Sequence, residues 1–261
     1  MMERIDCAIL AAKEAGSIIL NSIDSIEVRE VEAKQSFDFV TDVDRKCEQT
    51  IIDILQNYYP QYSIMAEESG AHQKSGSVRW IIDPLDGTTN YIHGYPNSSI
   101  SIALEEEGEI TVGVIYDPFR DELFRAEKNG GAYLNNKRIS VSQENEMSRC
   151  LIATGFPFKD KAILEKYWTV FSQIFHKVSD IRRAGSAALD LAYVACGRLD
   201  GFWELILSAW DMAAGDIIIR EAGGKISDVG GDSLHLEKGN VIATNGVIHK
   251  ELAAIISPVF A

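Results

Sequence analysis

Two aspartates, Asp83 and Asp86, stand three residues apart at the end of the apolar run Trp80-Ile81-Ile82 and just before Gly87-Thr88-Thr89. Pro84 between them restricts its own φ to turn geometry, which predicts that both carboxylates point to one side. At about 5 Å and an effective dielectric near 20, two such charges repel by roughly 3 kcal/mol, and a cation is the simplest compensation. Glycine followed by hydroxyl residues at a helix start aims backbone N–H groups at an anion, although a plain turn has the same composition. Acids beside an anion site are compatible once a divalent cation bridges them. Carboxylates, a main-chain carbonyl and water suit magnesium or manganese, whereas zinc would call for a His/Cys cluster that is missing from this sequence. The chemistry implied is metal-assisted phosphate hydrolysis.

The acids must be delivered by separate elements. Ile81 and Ile82 read as the end of a buried strand, and Ser63–Ala66 reads as a short strand that exits into Glu67-Glu68, so both sets of acids would lie at strand ends on one side of a sheet. Adjacent acids at a strand exit are as often simply solvated. Thr41 and Asp44 open a helix with an apolar face at Val43, Cys47, Ile51, Ile54, Leu55 and Tyr58; their three-residue spacing fits a capping box. Asp211, in Trp210-Asp211-Met212, is expected to open a helix that runs to Ala222 and stops at Gly223-Gly224, either as a cap alone or as a cap that also faces a metal.

The remaining pattern is a scaffold. Ile5, Ala8, Ile9, Ala12, Gly16, Ile19 and Leu20 give an amphipathic first helix. From Ile100 to Val141 short alternating runs separated by turns predict an antiparallel meander. Beyond residue 150 strands and helices alternate: strands at Leu151–Thr154, Asp180–Arg183, Leu199–Leu205, near Ile226 and at Val241–Thr244, with helices over Ile163–Val178, Leu189–Cys196 and Val247–Ile256. Gly70–Ser77 reads as a flexible loop with His72 on its surface. The order of elements predicts an α+β, or mixed α/β, chain whose helices and two sheets stack in layers, as one compact unit of two parts, 1–150 and 151–261.

Asp83 to Asn90, together with Trp210 to Gly215 and Ala66 to Ser69, resembles the inositol monophosphatase family of magnesium-dependent, lithium-sensitive phosphatases, and the pattern extends over essentially the whole chain. The resemblance implies an αβαβα sandwich of the sugar-phosphatase type. It implies that Glu67, Asp83, the carbonyl of Leu85, Asp86 and Asp211 hold two or three magnesium ions, with manganese a possible substitute. Thr88 and the main chain from Leu85 through Gly87 to Thr88 would hold the phosphate or the attacking water, beside Asp86 and Asp211. Glu67, Thr88 and Asp44 would carry catalysis, Asp44 by orienting Thr88. The resemblance also covers Lys34, Asp38 and Thr41. Arg183, Gly185, Ser186 and Glu204 align with the segment that grips the alcohol; Arg183 could instead reach a second phosphate or a partner subunit, or be a surface charge. Gly155-Phe156-Pro157-Phe158 either walls the pocket or is ordinary packing. Ser186, where the animal enzymes usually carry Thr, and Trp203 beside Glu204 predict a pocket that is not identical to theirs. Inositol 1-phosphate is the expected substrate; fructose 1,6-bisphosphate, a phosphorylated adenosine nucleotide and NADP are the alternatives.

With 261 residues, 46% hydrophobic and 25% charged, the composition is that of a globular chain. The first residues lack a signal-peptide pattern and no stretch approaches a membrane span, so the expected location is cytoplasmic. Cys7, Cys47, Cys150 and Cys196 are scattered and read as free thiols. A formal charge of −14 argues against a general affinity for nucleic acid or anionic membrane. The partners expected are a small phosphorylated polyol, sugar or nucleotide and, from the resemblance, a second copy in a homodimer. Two rivals stand beside this reading. A haloacid-dehalogenase type phosphatase would need its acids in Asp-x-Asp spacing, but here Pro84 and Leu85 separate them. A regulatory or RNA-associated protein on the same fold is the rival of another class.

Overall fold

The apolar run that carries Asp83 and Asp86 is the strand β5 (Val78–Asp86), buried from Trp80 onward on both faces. Such a strand needs a packed layer on either side. The computed structural model describes residues 2–23, 31–35, 38–74, 76–157 and 160–261. In it β5 sits inside an eight-stranded sheet with β3 (Ser63–Ala66), β4 (Gly70–His72), β6 (Ser99–Glu106), β7 (Glu109–Asp117), β8 (Glu122–Glu127), β9 (Gly131–Leu134) and β10 (Lys137–Arg138), in the order β10-β9-β8-β7-β6-β5-β3-β4. β3 runs parallel to β5 and every other neighbour is antiparallel, so the expected meander forms. Its last strand is only two residues long; Val141 lies beyond it and donates its N–H to the Ala222 carbonyl at 3.1 Å.

A second, five-stranded sheet is built from β11 (Leu151–Thr154), β12 (Asp180–Arg182), β13 (Gly201–Glu204), β14 (Lys225–Ser227) and β15 (Val241–Thr244), ordered β12-β11-β13-β15-β14. The pairs β12-β11 and β11-β13 are parallel and the other two antiparallel. The helices α5 (Ala187–Ala195) and α6 (Ala209–Glu221) contact both sheets and share one apolar core with them, including Ile81, Ile115, Phe124, Leu191, Phe202 and Ile218. α1 (Arg4–Ile23) and α2 (Asp42–Tyr58) cover the other face of the first sheet through Ile19, Ile51, Leu55 and Trp80. α4 (Leu164–Phe175) and α8 (His249–Phe260) cover the second sheet through Tyr167, Trp203 and Leu252. The result is the αβαβα layering expected, a mixed α+β fold with two mixed sheets.

Some local expectations are corrected. The stretch Gly70–Ser77 is not loop throughout: Gly70–His72 pairs antiparallel with β3 as an edge strand, disguised by its polarity and its glycine. The polar stretch carrying Lys34 forms a hairpin of β1 (Val31–Gln35) and β2 (Asp38–Thr41), although the side chains of Lys34 and Asp38 lie outside the described residues. The one-turn helix α7 (His235–Lys238) had no periodic signal to announce it. Asp211 helps to cap α6, but from inside the first turn, as the third residue of a capping box rather than as the N-cap. Ser208 occupies the N-cap position, and Asp211, three residues on, accepts the Ser208 N–H at 2.6 Å. The Thr41–Asp44 capping box forms as expected. Cys7, Cys47, Cys150 and Cys196 are free thiols.

The layers meet closely at Gly113 on β7. A methyl group there would lie 2.5 Å from Ile217 Cγ2 and 2.7 Å from the Ala214 carbonyl oxygen of α6. Because one obstacle is backbone, it cannot swing away. Gly113→Ala should therefore lower unfolding free energy by about 1–3 kcal/mol in urea titration; unchanged stability would mean that α6 can withdraw from the sheet freely.

Candidate active site

The end of β5 is where the pleat gives way. Its register against β6 slips between Asp83 and Asp86, so that Pro84 and Leu85 bulge out and the two acids are brought to the same side. Leu85 donates its N–H to Asp83 Oδ1 at 3.0 Å, which holds the bulge closed. Gly87 follows with φ +92°, a left-handed turn that starts the short helix α3 (Thr88–Ile92). A side chain at Gly87 would also press on the carbonyls of Asn97 and Gly185, at 3.0 and 3.1 Å. Glycine is thus required by both conformation and space.

Asp211, from the first turn of α6, completes an acidic group with Asp83 and Asp86 in which one carboxylate oxygen of each lies within 4.8 Å of the others. Glu67 lines the same cleft from the turn after β3 and shares a hydrogen bond with Asp83. That turn is fixed from behind by Glu48 of α2, whose carboxylate accepts the N–H groups of Glu68 and Ser69, each at 2.8 Å. The electrostatic consequence is direct. Burial, then the charges of Glu67, Asp86 and Asp211, push the Asp83 carboxyl well above the usual carboxylate range. Burial likewise raises Asp86, to about 6, against hydrogen bonds that lower it. Two of those bonds fall on Asp86 Oδ2, from the Ser186 hydroxyl at 2.5 Å and the Ala188 N–H at 2.9 Å, and the Ala187 N–H adds a third. An all-oxygen acidic group pushed toward protonation fits a hard divalent cation, and the donor set has no nitrogen or sulfur that would favour zinc.

Of the residues singled out in the sequence, Glu67, Asp83, Leu85, Asp86, Gly87, Thr88, Arg183, Gly185, Glu204 and Asp211 all line one cleft of about 360 Å³. Asp44 and Ser186 stand behind it. Asp44 is fully buried and accepts the Thr88 hydroxyl at 3.0 Å, while its other oxygen takes the N–H and hydroxyl of Thr41. Burial raises the Asp44 carboxyl despite those bonds. Ser186 is 1% exposed and touches Asp86 rather than the cleft. Gly155, Phe156 and Pro157 do form part of the wall; Phe158 lies outside the described residues. Any side chain at Gly155 would collide with the Glu204 carboxylate, 1.9 Å away at the nearest atom. Arg183 lies with its guanidinium 5.4 Å from the centre of the Phe156 ring.

Three residues of the site went unread in the sequence. Glu48 repeats Asp44 one helical turn on, on the buried side of α2, where an acid needs a partner. Asn90 ties the Asp83 turn to the second half by donating to the carbonyls of Asn97, Ala184 and Gly185 at 2.7, 2.9 and 3.3 Å; no local pattern marks it. Asp190 is a cleft-lining acid in the otherwise apolar helix run Ala187-Ala188-Leu189-Asp190-Leu191-Ala192, and that interruption was its signal.

A raised carboxyl costs the metal-free fold stability as pH climbs. Asp86 keeps its proton in the folded chain up to about 6 but loses it near 3.8 when unfolded, so the penalty grows through that window and is complete above it. Magnesium should therefore raise the melting temperature most above pH 7 and little at pH 5, where protons already neutralise the acids. A magnesium shift independent of pH would contradict the clustering. Asp86→Asn should melt within about 1 kcal/mol of the parent, because the amide can still accept from Ser186 and Ala188, yet lose the magnesium shift; a retained shift would exclude Asp86 from the ion site.

The chain is similar to known proteins over nearly its whole length. The sequence matches the profile of the Inositol monophosphatase family over residues 1–259. It is 45% identical over 263 residues to a Pseudomonas aeruginosa protein named Nus factor SuhB, covering 99% of this chain and 97% of that one. The crystal structure of extragenic suppressor protein suhB from Bartonella henselae superposes with a TM-score of 0.93 at 42% identity, covering 96% of this chain and 97% of the other. The inositol monophosphatase from Anabaena (Nostoc) sp. PCC 7120 gives 0.88 at 40% identity, covering 98% and 95%. Matched by the family's profile from residue 1 to residue 259 and by these relatives over nearly its whole length, the chain belongs to the inositol monophosphatase family.

Proposed function

We propose that the chain hydrolyses a phosphate monoester, inositol 1-phosphate or a close polyol phosphate, with Glu67, Asp83, Asp86, Asp211 and the Leu85 carbonyl holding magnesium. The observation that carries this is the convergence of Asp83, Asp86 and Asp211 within 4.8 Å beside the Gly87 turn. The family is magnesium-dependent. Bound there, magnesium would neutralise the acids and the phosphate oxygens and would lower the pKa of a water molecule toward neutrality.

The chain's own groups then divide the remaining work. The Thr88 hydroxyl has one proton and two acceptors, Asp44 Oδ1 at 3.0 Å and the Leu85 carbonyl at 3.1 Å. Its proton is thereby turned away from the cleft and its lone pairs face the cleft, where they accept a hydrogen from the attacking water and aim it. Glu67, at the mouth of the turn held by Glu48, takes the proton that the water releases. Backbone N–H groups at Gly87 and Thr88 steady the phosphate. Thr88→Val, which keeps shape and removes the acceptor, should reduce kcat about 100-fold or more with little change in the magnesium-dependent melting shift. Phosphate release from a panel of esters, with magnesium and with lithium added, tests the activity; near-parental turnover in Thr88→Val would remove Thr88 from the mechanism.

The name of the Pseudomonas aeruginosa relative supports a second role. That name, Nus factor, points to transcription, and it gives no support to the expectation that nucleic acid is an unlikely partner. We propose that this chain also joins a transcription complex, in addition to hydrolysis, since the acids of its cleft converge as a metal site would require. A gel shift with RNA at moderate salt, run beside the phosphatase assay, separates the roles: binding without hydrolysis of any ester would favour the second alone.

A further inference from the structure

One turn in the cleft wall carries a residue that its backbone conformation disfavours. Among the described residues, the non-glycine residues with positive φ are Glu107, Asp121, Asn129, Asn135 and Ile206. The first four are polar and sit in the short turns that join successive strands of the meander from β6 to β10. Asparagine and aspartate enter this conformation at little cost, whereas a β-branched residue there is a genuine outlier. Ile206, with φ +62°, is the β-branched one, and of the five it alone lines the cleft. It lies between Glu204, at the end of β13, and Asp211, in the first turn of α6. Two tethers hold the turn. The Ile206 N–H is donated to Asn240 Oδ1 at 3.2 Å and the Leu207 N–H to the Gly239 carbonyl at 2.8 Å; both acceptors directly precede β15, the strand paired with β13.

The fold gains little from an isoleucine at this point. Leu205 beside it is 5% exposed and packs into the core of the second sheet, but Ile206 is 37% exposed. A side chain that neither suits its turn nor fills the core is explained by what enters the cleft. Phe156 lines the same cleft and is 36% exposed, so two large apolar side chains stand open to solvent in the cavity that holds the acidic group. The phosphate of an ester finds its partners at the acids and the Gly87 turn; an apolar side chain can add only contact with carbon. We propose that Ile206 is a specificity-determining residue that packs against an apolar face of the leaving alcohol, so that the cleft favours phosphate esters of ring-bearing alcohols with a hydrocarbon face over those of short open-chain polyols. The inference rests on the hydrolytic reading above and narrows its substrate class. Expelling water from between two apolar surfaces supplies the preference, and pocket contacts of this size discriminate by about tenfold or more.

The test compares cyclohexylmethyl phosphate with glycerol 1-phosphate; both are esters of primary alcohols, so the bond cleaved is alike and the alcohol's surface differs. The parent protein should favour the cyclohexylmethyl ester in kcat/KM. Ile206→Asn, which suits the left-handed backbone and removes the apolar surface, should reduce that preference about tenfold or more through KM of the cyclohexylmethyl ester. The same variant should melt no lower than the parent, because the fold does not depend on the isoleucine. Equal losses on both esters, an unchanged preference, or a folded variant that melts several degrees lower would each overturn the proposal. Ile206→Gly carries the same comparison if the asparagine variant fails to fold. The ester panel above judges the hydrolytic reading separately. If the parent turns over neither of these two esters, calorimetric titration of both in magnesium decides on Ile206: tighter binding of the cyclohexylmethyl ester that disappears in Ile206→Asn supports the contact, and equal or unmeasurable binding of both overturns it.

Discussion

The mutual repulsion of Asp83, Asp86 and Asp211, enforced by burial, is the constraint on which the rest of the molecule depends. One oxygen of each lies within 4.8 Å of the others, and Glu67 adds a fourth acid against Asp83. A chain in water would let such groups separate. Here they cannot, because Asp83 and Asp86 leave a strand packed on both faces while Asp211 leaves a helix whose contact with that sheet is tight enough to demand glycine at position 113. Burial first, and neighbouring acids after it, raise the Asp83 and Asp86 carboxyls.

Holding like charges together is done in stages that run outward from the cleft. Ser186 and Ala188 occupy one oxygen of Asp86, Asp44 and Leu85 fix the Thr88 hydroxyl, and Glu48 ties down the turn bearing Glu67. Behind these lie whole elements. α2 brings Asp44 and Glu48 on one face, one turn apart, so a single helix orients two different walls of the site. Asn90 joins the Asp83 turn to the segment around Gly185, which comes from the other sheet's half of the chain. The site is therefore assembled between the halves, and neither half holds all of its acids.

What was legible in the sequence follows from how local each signal was. The Asp83-Pro84-Leu85-Asp86-Gly87 turn and the Thr41–Asp44 capping box are written within a few residues, and both form. The meander and the amphipathic helices were legible because burial of one face imposes a period. Asp211 was read in its right helix but in the wrong position, since Ser208 three residues earlier was equally able to cap. The edge strand Gly70–His72 and the hairpin through Lys34 were missed because edge strands and hairpins at the surface need no apolar alternation. Asn90 and Asp190 were missed for a different reason. Their partners or surroundings lie some hundred residues away or across a cleft, and only the assembled layers bring the two sides together.

The account stands on a divalent cation at the point where the three aspartates meet. Diffraction from crystals soaked in manganese, recorded for its anomalous signal, reads that point directly. The account predicts an anomalous peak in contact with carboxylate oxygens of Asp83, Asp86 and Asp211, and its loss in Asp86→Asn. Ordered crystals with manganese in the cleft solvent but no peak among the three acids, or a peak that persists there unchanged in Asp86→Asn, would contradict it.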